Sequence, residues 1–223
     1  MADKTIKLKI KRQPNPDVAA YWEDFEIPYR PNMNVISVLM ELALNPTTQD
    51  GKARMACSAL IDNLEQPVRL EPLSKFPVVR DLAVDRSVLF ENLKKVKAWI
   101  PIDGTYDLGP GPRQSEEQQS QEYPYSRCIS CTCCMEVCPQ FNQNTGFVGA
   151  ATIGQVRLFN TNPTGAMQAP ERLRALMGDG GIHECGYAQN CVEICPKDIP
   201  LTNAIASVGH AVLKQAFKDF FTQ

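Results

Sequence analysis

The cysteines of this chain are the residues whose spacing most directly indicates chemistry. Nine are present, an odd number, and eight lie from Cys128 onward. Four of the eight follow the pattern C-x2-C-x2-C-x3-C-P, in which three thiolates bind one iron–sulfur cluster and the fourth binds a second cluster. The members of this first run are Cys128, Cys131, Cys134 and Cys138, followed by Pro139. The pattern therefore predicts two clusters.

A second run repeats this pattern with one cysteine missing. Cys185, Cys191 and Cys195-Pro196 fall at the matching positions, and Ala188 stands where the second cysteine of the run is expected. An iron atom facing Ala188 has no protein ligand, so this cluster is predicted to be [3Fe-4S].

The crossing of the fourth ligand between the two runs assigns each thiolate to a site. The predicted [4Fe-4S] ligands are Cys128, Cys131, Cys134 and Cys195, and the predicted [3Fe-4S] ligands are Cys138, Cys185 and Cys191. Structural zinc is the alternative, but zinc sites use paired C-x2-C knuckles or cysteine–histidine mixtures, and seven thiolates do not divide into tetrahedral sites. Cys133 falls between ligand positions and is predicted to be a packed or hydrogen-bonding neighbour.

The composition is that of an ordinary globular chain. The 223 residues are 43% hydrophobic and 22% charged, with a formal net charge of −2, which gives no electrostatic footprint for nucleic acid. No apolar run of about 18 residues is present that could span a bilayer, and the N-terminal MADKTIKLKI lacks the apolar core of a signal peptide. A reducing cytosolic compartment is therefore expected, where clustered cysteines indicate metal ligands before disulfides.

The first hundred residues have the patterns of a mixed α/β unit. Ile6, Leu8 and Ile10 alternate with lysines, which predicts a half-buried strand. Phe25 and Ile27 alternate with acidic residues, so a second strand is expected to form a hairpin with the first.

Three further elements are predicted in this unit. Asn34 is the predicted N-cap of a helix that ends before Asn45-Pro46. A short strand is expected around Val68 and Leu70, and a helix over residues 85–97.

A change of character at residues 101–125 predicts a link between two domains, because Gly-Pro-Gly-Pro and the Gln/Glu/Ser-rich run after it interrupt regular structure. Helices are predicted beyond it at 155–159, at 171–177 and from Pro200 to the end, without a strand signal. The last helix is predicted to carry one apolar side, formed by Ile205, Val208, Val212, Ala216 and Phe220. The expected fold class is therefore α+β, with domains at 1–104 and 105–223, the second mostly helical.

At this level of detail the sequence resembles the iron–sulfur subunit of succinate dehydrogenase and fumarate reductase. The resemblance covers nearly the whole chain and rests on SRCISCTCCMEVCP, CGYAQNCVEICPKDIPLT, RLFNTNPTGA, LEQPVRLEPL and the long stretch from FPVVRDL to LGPGPR. It is strongest toward the bacterial type that works with menaquinone.

The resemblance implies an N-terminal β-grasp domain of plant-ferredoxin type and a C-terminal helical domain of bacterial-ferredoxin type. It also implies two partners: an FAD-containing flavoprotein subunit, where succinate and fumarate interconvert, and a cytochrome b-type membrane anchor, where quinone reacts. Such a chain would be a peripheral electron carrier on the cytoplasmic side of the cell membrane. The direction of electron flow, succinate oxidation or fumarate reduction, stays open.

The N-terminal cluster site departs from the family pattern. The family holds a [2Fe-2S] cluster on a C-x4-C-x2-C loop and one later cysteine. Only the later position remains here, as Cys57 in ARMACSAL. A deletion, or a coding segment that the given sequence omits, would each produce this gap. The resemblance thus implies a [2Fe-2S] cluster for which three of four ligands are absent.

The quinone side also departs from much of the family, which has a tryptophan shortly after the Cys138-Pro139 position and a histidine after the Cys185 position. Here QFNQNTGF contains no tryptophan and Gly186 replaces the histidine. Pro139 is the matched quinone-side residue, and the changes favour menaquinone over a ubiquinone-type pocket. His183 could assist, although a surface or core histidine is the simpler interpretation.

Two other functions stay open at this point. One is the iron–sulfur subunit of another flavoenzyme complex, such as the glycolate oxidase or heterodisulfide reductase types, which usually keep the cysteine that Ala188 replaces. The other is a soluble ferredoxin-like carrier, against which the long N-terminal region argues.

Overall fold

The computed structural model describes residues 4–41, 56–57, 59–61, 63–100 and 112–222. Contacts divide the chain into two compact units, Met1–Arg86 and Ser87–Gln223. The predicted domain boundary at residue 104 lies outside the described residues. The contact boundary falls earlier because the helix after Arg86 packs within the second unit, where Asn92 Nδ2 donates to the carbonyl of Val148 at 3.2 Å.

A three-stranded sheet forms the centre of the first unit. The middle strand, β1 (Thr5–Arg12), pairs antiparallel with β2 (Tyr21–Pro28) and parallel with β3 (Val68–Leu70). The predicted alternation is confirmed, since the inward side chains of β1 are each only 1% exposed, namely Ile6, Leu8 and Ile10.

One helix and a second hairpin complete the described part of this unit. The helix α1 (Val35–Glu41) begins at Asn34, whose Oδ1 accepts from the amide of Ser37 at 2.9 Å as the predicted N-cap. Its predicted end before Asn45-Pro46 lies outside the described residues. The hairpin of β4 (Val78–Arg80) and β5 (Ala83–Val84) was not predicted.

The second unit is helical, and its described residues contain no strand. The helices are α2 (Ser87–Lys95), α3 (Glu116–Ser126), α4 (Cys133–Glu136), α5 (Ala150–Thr161), α6 (Ala169–Ala175), α7 (Asn190–Glu193) and α8 (Leu201–Phe221). Two short 3-10 turns lie at Gly165–Gln168 and Ile182–Glu184. The helix α5 packs against α3, α6 and α8.

The predicted linker was wrong over residues 116–125, where α3 forms. Ser115 caps this helix by accepting from the amide of Gln118 at 3.1 Å. Glu116 and Glu117 occupy the first turn, where acidic side chains complement the helix dipole. The helix has few apolar residues, and its buried side chains are Glu122 and Tyr125, 7% and 5% exposed.

The predicted buried face of the last helix was correct for its first part only. Ile205, Val208 and Val212 are buried, but Phe220 is 75% exposed. Among the described residues, no helix combines the length and apolar character needed to cross a membrane.

Candidate metal centres

The two cysteine runs have the same unusual backbone conformation at matching positions. In the first run, Cys131 lies between Ser130 (φ 54°) and Thr132 (φ 65°). Positive φ is uncommon for residues other than glycine. Two such residues, one on each side of the same cysteine, therefore give this loop a distinctive backbone conformation. It turns the backbone around the space that the cysteine side chains share.

In the second run, the same alternation surrounds Ala188. Tyr187 has a φ of 54° and Gln189 a φ of 62°. The backbone therefore presents Ala188 as it presents Cys131, with a methyl group in place of the thiol. This agreement is independent of the cysteine spacing and supports the alignment on which the three-thiolate site depends.

A short helix follows each loop and repeats the equivalence. The amide of Met135 donates to the carbonyl of Thr132 at 2.9 Å, and the amide of Val192 donates to the carbonyl of Gln189 at 2.9 Å. The two loops are therefore the same structural unit, and each carries its last cysteine out of the far end of its helix.

Two side-chain hydrogen bonds connect the start of the first cysteine run with the end of the second run. The guanidinium of Arg127 donates to the carbonyl of Lys197, and Tyr125 Oη donates to the carbonyl of Pro200 at 3.4 Å. These contacts bring Cys195 to the side of Cys128.

Another hydrogen bond connects the end of the first cysteine run with the second run. Asn190 Nδ2, at the start of α7, donates to the carbonyl of Val137 at 3.2 Å. It brings Cys138, the next residue, toward Cys185 and Cys191. The fourth cysteine of each run is thus positioned against the other run.

Two cavities result, and their cysteines are the two sets predicted from spacing. The first cavity is lined by Cys128, Cys131, Cys134 and Cys195. The second is lined by Cys138, Cys185 and Cys191, with Ala188 beside them. Four thiols thus face the first cavity and three face the second.

No group of three or more His, Cys, Asp or Glu side chains in the described part of the chain is arranged to share one metal ion. The thiols instead line the two cavities. The donor set is soft and purely sulfur, which suits iron–sulfur clusters.

The electrostatics of the two sites oppose a free thiolate. Burial raises the pKa of the Cys128, Cys134 and Cys191 thiols. Because the thiolate is the metal ligand, a positively charged iron centre must supply the stabilisation that the apolar surroundings withhold. The thiols would therefore lose their protons on cluster binding.

Cys133 lies against the first site without lining its cavity. It is 3% exposed, and its hydrogen bond to the Cys131 side chain, together with burial, raises the pKa of its thiol. This contact accords with the predicted hydrogen-bonding neighbour.

Cys57 is exposed, unlike the cysteines of the two runs. It is an exposed free cysteine in a turn, and its carbonyl accepts from Asn34 Nδ2 at 3.1 Å. Every other cysteine of the chain lies at residue 128 or later. Since a two-iron cluster needs four ligands, the cysteines of the first unit do not fit a [2Fe-2S] cluster.

The predicted quinone-side residue lies at the second cavity. Pro139 lines it and is exposed, as is the neighbouring Gln140. A side chain at Gly186 would place its Cβ 2.7 Å from Gln140 Nε2, so Gln140 occupies space that a histidine at position 186 would claim. His183 is exposed and does not line this cavity.

Several residues that line the first cavity were not predicted from the sequence. Gln155 of α5 and Lys197 line the first cavity. Gly154 allows α8 to approach α5, because a Cβ there would lie 3.1 Å from Leu201 Cδ2. The helical period placed these residues on helices or loops but could not show which side faces a cluster.

Comparison with protein families finds two matches within the chain. Residues 45–91 match a family described as a 2Fe-2S iron–sulfur cluster binding domain, and residues 124–199 match a 4Fe-4S dicluster domain. These matches confirm the predicted order of a plant-ferredoxin-like part followed by a bacterial-ferredoxin-like part.

Two curated relatives are named as iron–sulfur subunits. The succinate dehydrogenase iron–sulfur subunit of Bacillus subtilis (strain 168) is 52% identical, with 98% of this chain and 96% of that protein covered. The fumarate reductase iron–sulfur subunit of Haemophilus influenzae is 32% identical over 70% of this chain and 65% of that protein.

The fold also matches a solved structure. A chain of the Mycobacterium smegmatis Sdh1 complex in the apo form has a TM-score of 0.80 and 22% identity, with 97% of this chain and 98% of that chain covered. This likeness confirms the predicted α+β fold.

Proposed function

Because this chain belongs to the family of iron–sulfur subunits of succinate dehydrogenase and fumarate reductase, we propose that it is the electron-transfer subunit of a succinate:quinone oxidoreductase. It passes electrons between a flavoprotein subunit, which interconverts succinate and fumarate, and menaquinone at a membrane anchor. The observation that carries this proposal is the pair of cavities lined by four and by three cysteines.

The chain's own residues would hold two clusters. The [4Fe-4S] ligands are Cys128, Cys131, Cys134 and Cys195, and the [3Fe-4S] ligands are Cys138, Cys185 and Cys191. Bound clusters of these types supply one-electron transfer at potentials set by ligation, hydrogen bonding and burial. The protein contributes thiolates at fixed positions and apolar walls that exclude water.

Ala188 is the residue that separates the two sites chemically. Its methyl group supplies no ligand at the position that Cys131 fills in the first site, so only three thiolates converge on the second cavity. This asymmetry also disfavours the flavoenzyme complexes whose subunits keep both full runs.

The second cavity faces the quinone side in this proposal. Pro139 and Gln140 are exposed at its mouth, and an acceptor approaching there meets an amide side chain rather than an imidazole. The chain is peripheral, on the cytoplasmic side of the cell membrane. It is held there by a cytochrome b-type anchor, and the substrate chemistry takes place on the FAD-containing partner.

Iron and sulfide analysis combined with EPR tests the proposal. Oxidised protein should give a [3Fe-4S] signal, and reduced protein a [4Fe-4S] signal. Affinity purification from the native host should recover a much larger flavoprotein and a membrane anchor with the chain. Bound zinc in place of iron, or a chain that purifies alone from solubilised membranes, would contradict the proposal.

A further inference from the structure

The C-terminal half of α8 presents an exposed apolar stripe. Its members are Leu213, Phe217, Phe220 and Phe221, which are 61%, 64%, 75% and 79% exposed. The spacing i, i+4, i+7, i+8 places all four on one side of the helix. We call these four residues the α8 stripe.

The opposite side of the helix is fixed to the second unit. Arg174 of α6 binds Asp219 through two hydrogen bonds of 2.8 and 2.7 Å. Gln215, which is 8% exposed, donates to the same carboxylate at 2.7 Å. The Arg174 bonds and the burial of Gln215 fix this side of α8 against the unit, whereas the bond from Gln215 to Asp219 lies within the helix. The α8 stripe therefore points away from the protein.

The charges beside the stripe are all positive. Lys214 and Lys218 are exposed on the same part of the helix. Asp219 is the only acidic residue between position 204 and the end of the chain, and Arg174 already engages it. A partner therefore meets phenyl rings flanked by two ammonium groups.

We propose that the α8 stripe binds the surface of an anionic phospholipid membrane. Aromatic and leucine side chains insert at the boundary between headgroups and acyl chains, while the flanking lysines bind the phosphates. Protein interfaces are depleted in lysine, so the two ammonium groups beside the rings favour a lipid surface over a protein partner or a second copy.

The membrane contact at the end of α8 would also affect the position of the second cavity, which lies near the start of the same helix. Thr202 and Ile205, near the start of α8, line the cavity that contains Ala188. A helix rises about 1.5 Å per residue, so Phe217 lies about 18 Å along the axis from Ile205. The contact would hold that cavity near the membrane, but it is a property of α8 and does not depend on the proposed electron transfer.

Vesicle flotation of the full chain, with its clusters reconstituted without oxygen, tests the proposal. Wild type should float with vesicles of phosphatidylcholine and phosphatidylglycerol and bind pure phosphatidylcholine more weakly. The double variant Phe217→Ser/Phe221→Ser should bind at least about tenfold less, because two rings no longer leave water. The matched control is Phe90→Ser, an equivalent change at a 52% exposed ring of α2, which should bind as wild type does.

The lysines have their own arm of the experiment. Lys214→Gln and Lys218→Gln should each weaken binding to the anionic vesicles about fivefold and leave binding to neutral vesicles unchanged. Failure of wild type to float, or equal loss in the Phe90 control, would overturn the proposal. So would sedimentation showing that the stripe instead joins two copies of the chain.

Discussion

At the scale of the residue, Ala188 occupies the position in the second run that Cys131 has in the first. Tyr187 and Gln189 give the backbone the same left-handed turns that surround Cys131. A thiol added to this methyl group would therefore point where the second cysteine of the first run points.

We predict that Ala188→Cys converts the three-iron site to [4Fe-4S]. The [3Fe-4S] EPR signal of oxidised protein should disappear, and the iron content should rise by about one atom per chain. Ala188→Ser, which keeps the size but not the sulfur, is the control and should retain most of the three-iron signal. An unchanged signal in the cysteine variant would show that the second run is aligned wrongly.

The crossing of the fourth ligand predicts selective losses. Cys195→Ser should damage the four-iron site, because Cys195 lines the first cavity although it belongs to the second run. Cys133→Ser should retain both clusters, since Cys133 is buried beside Cys131 but does not line that cavity. EPR of both oxidation states separates the sites, and selective loss of the three-iron signal in Cys195→Ser would contradict the assignment.

The sequence predicted which seven cysteines line the two cavities, because ligand spacing in iron–sulfur motifs is local. It could not predict Arg127 or Asn190, whose bonds join residues far apart in the chain. Nothing in the local pattern distinguishes them from solvated polar side chains, yet they hold the two runs together.

At the scale of the element, a buried arginine holds the segment after α2 to α6. Arg172 is 0% exposed and donates to the carbonyls of Lys97, Trp99 and Gly165 at 2.9, 2.8 and 2.7 Å. Burial lowers the pKa of its guanidinium. The three carbonyl oxygens accept hydrogen bonds that the exposed guanidinium would donate to water.

We predict that Arg172→Leu lowers the free energy of unfolding of the second unit by on the order of 3 kcal/mol, because three carbonyls lose their donor. Arg174→Leu, two residues along and bound to Asp219 at the surface, should cost less than about 1 kcal/mol. Urea unfolding followed by far-UV circular dichroism measures both. Equal effects of the two variants would contradict the role given to Arg172.

In the first unit, Asp81 joins the β4–β5 turn to the end of β1. Its carboxylate accepts from Arg12 Nε and from the amide of Gln13, each at 3.0 Å. Burial alone would raise the pKa of the Asp81 carboxyl. The two hydrogen bonds lower it by more, so the pKa of Asp81 lies below its ordinary value.

We predict that Asp81→Asn lowers the free energy of unfolding of this unit by about 2 kcal/mol at pH 7, through loss of charge-assisted hydrogen bonds. Asparagine tolerates the φ of 50° at this position, so the change tests charge alone. Because the folded-state pKa is lowered, this stabilisation is present above the ordinary value of 3.8 and is lost as the pH falls through the folded-state pKa.

Trp22 fluorescence during urea unfolding, in a Trp99→Phe background, reports this unit alone. Asp24→Asn is the control, because Asp24 is 73% exposed and only 3.5 Å from Lys9, and should change little. A gap between wild type and Asp81→Asn that stays constant to pH values well below 3.8 would contradict the argument.

Periodicity predicted the elements that have one buried and one solvated face, such as β1 and α1. It missed α3 because a Gln/Glu-rich helix has almost no apolar period, and its cap and two buried side chains are visible only in three dimensions. It extended the buried face of α8 too far because Phe220 continues the helical period although nothing in the described residues covers it.

At the scale of the whole molecule, the chain divides into two units with different internal organisation. The second unit packs its helices around two cysteine-lined cavities, whereas the first unit has a sheet and a helix with an apolar core of their own. Sequence reasoning placed the boundary at residue 104 from composition, while the contacts place it at Arg86 because α2 packs against α5.

The length of the match to the Bacillus subtilis relative bears on the first unit. That alignment extends over 244 positions, whereas this chain has 223 residues, so at least 21 positions (244 − 223) are gaps in this chain. A loss of this size accords with the missing cysteine loop between α1 and Cys57.

The last prediction is that this 223-residue chain binds no [2Fe-2S] cluster. Cys57 is exposed and is the only cysteine before Cys128, and one thiolate cannot replace four ligands. Protein expressed from this sequence should contain about seven iron atoms, the sum of one four-iron and one three-iron cluster. Cys57→Ser should leave both the iron content and the EPR spectra unchanged. A rhombic [2Fe-2S] signal from the reduced chain would contradict this prediction. Resequencing the source gene separates the two explanations of the gap, because a longer gene with three more cysteines would mean that the organism retains the cluster.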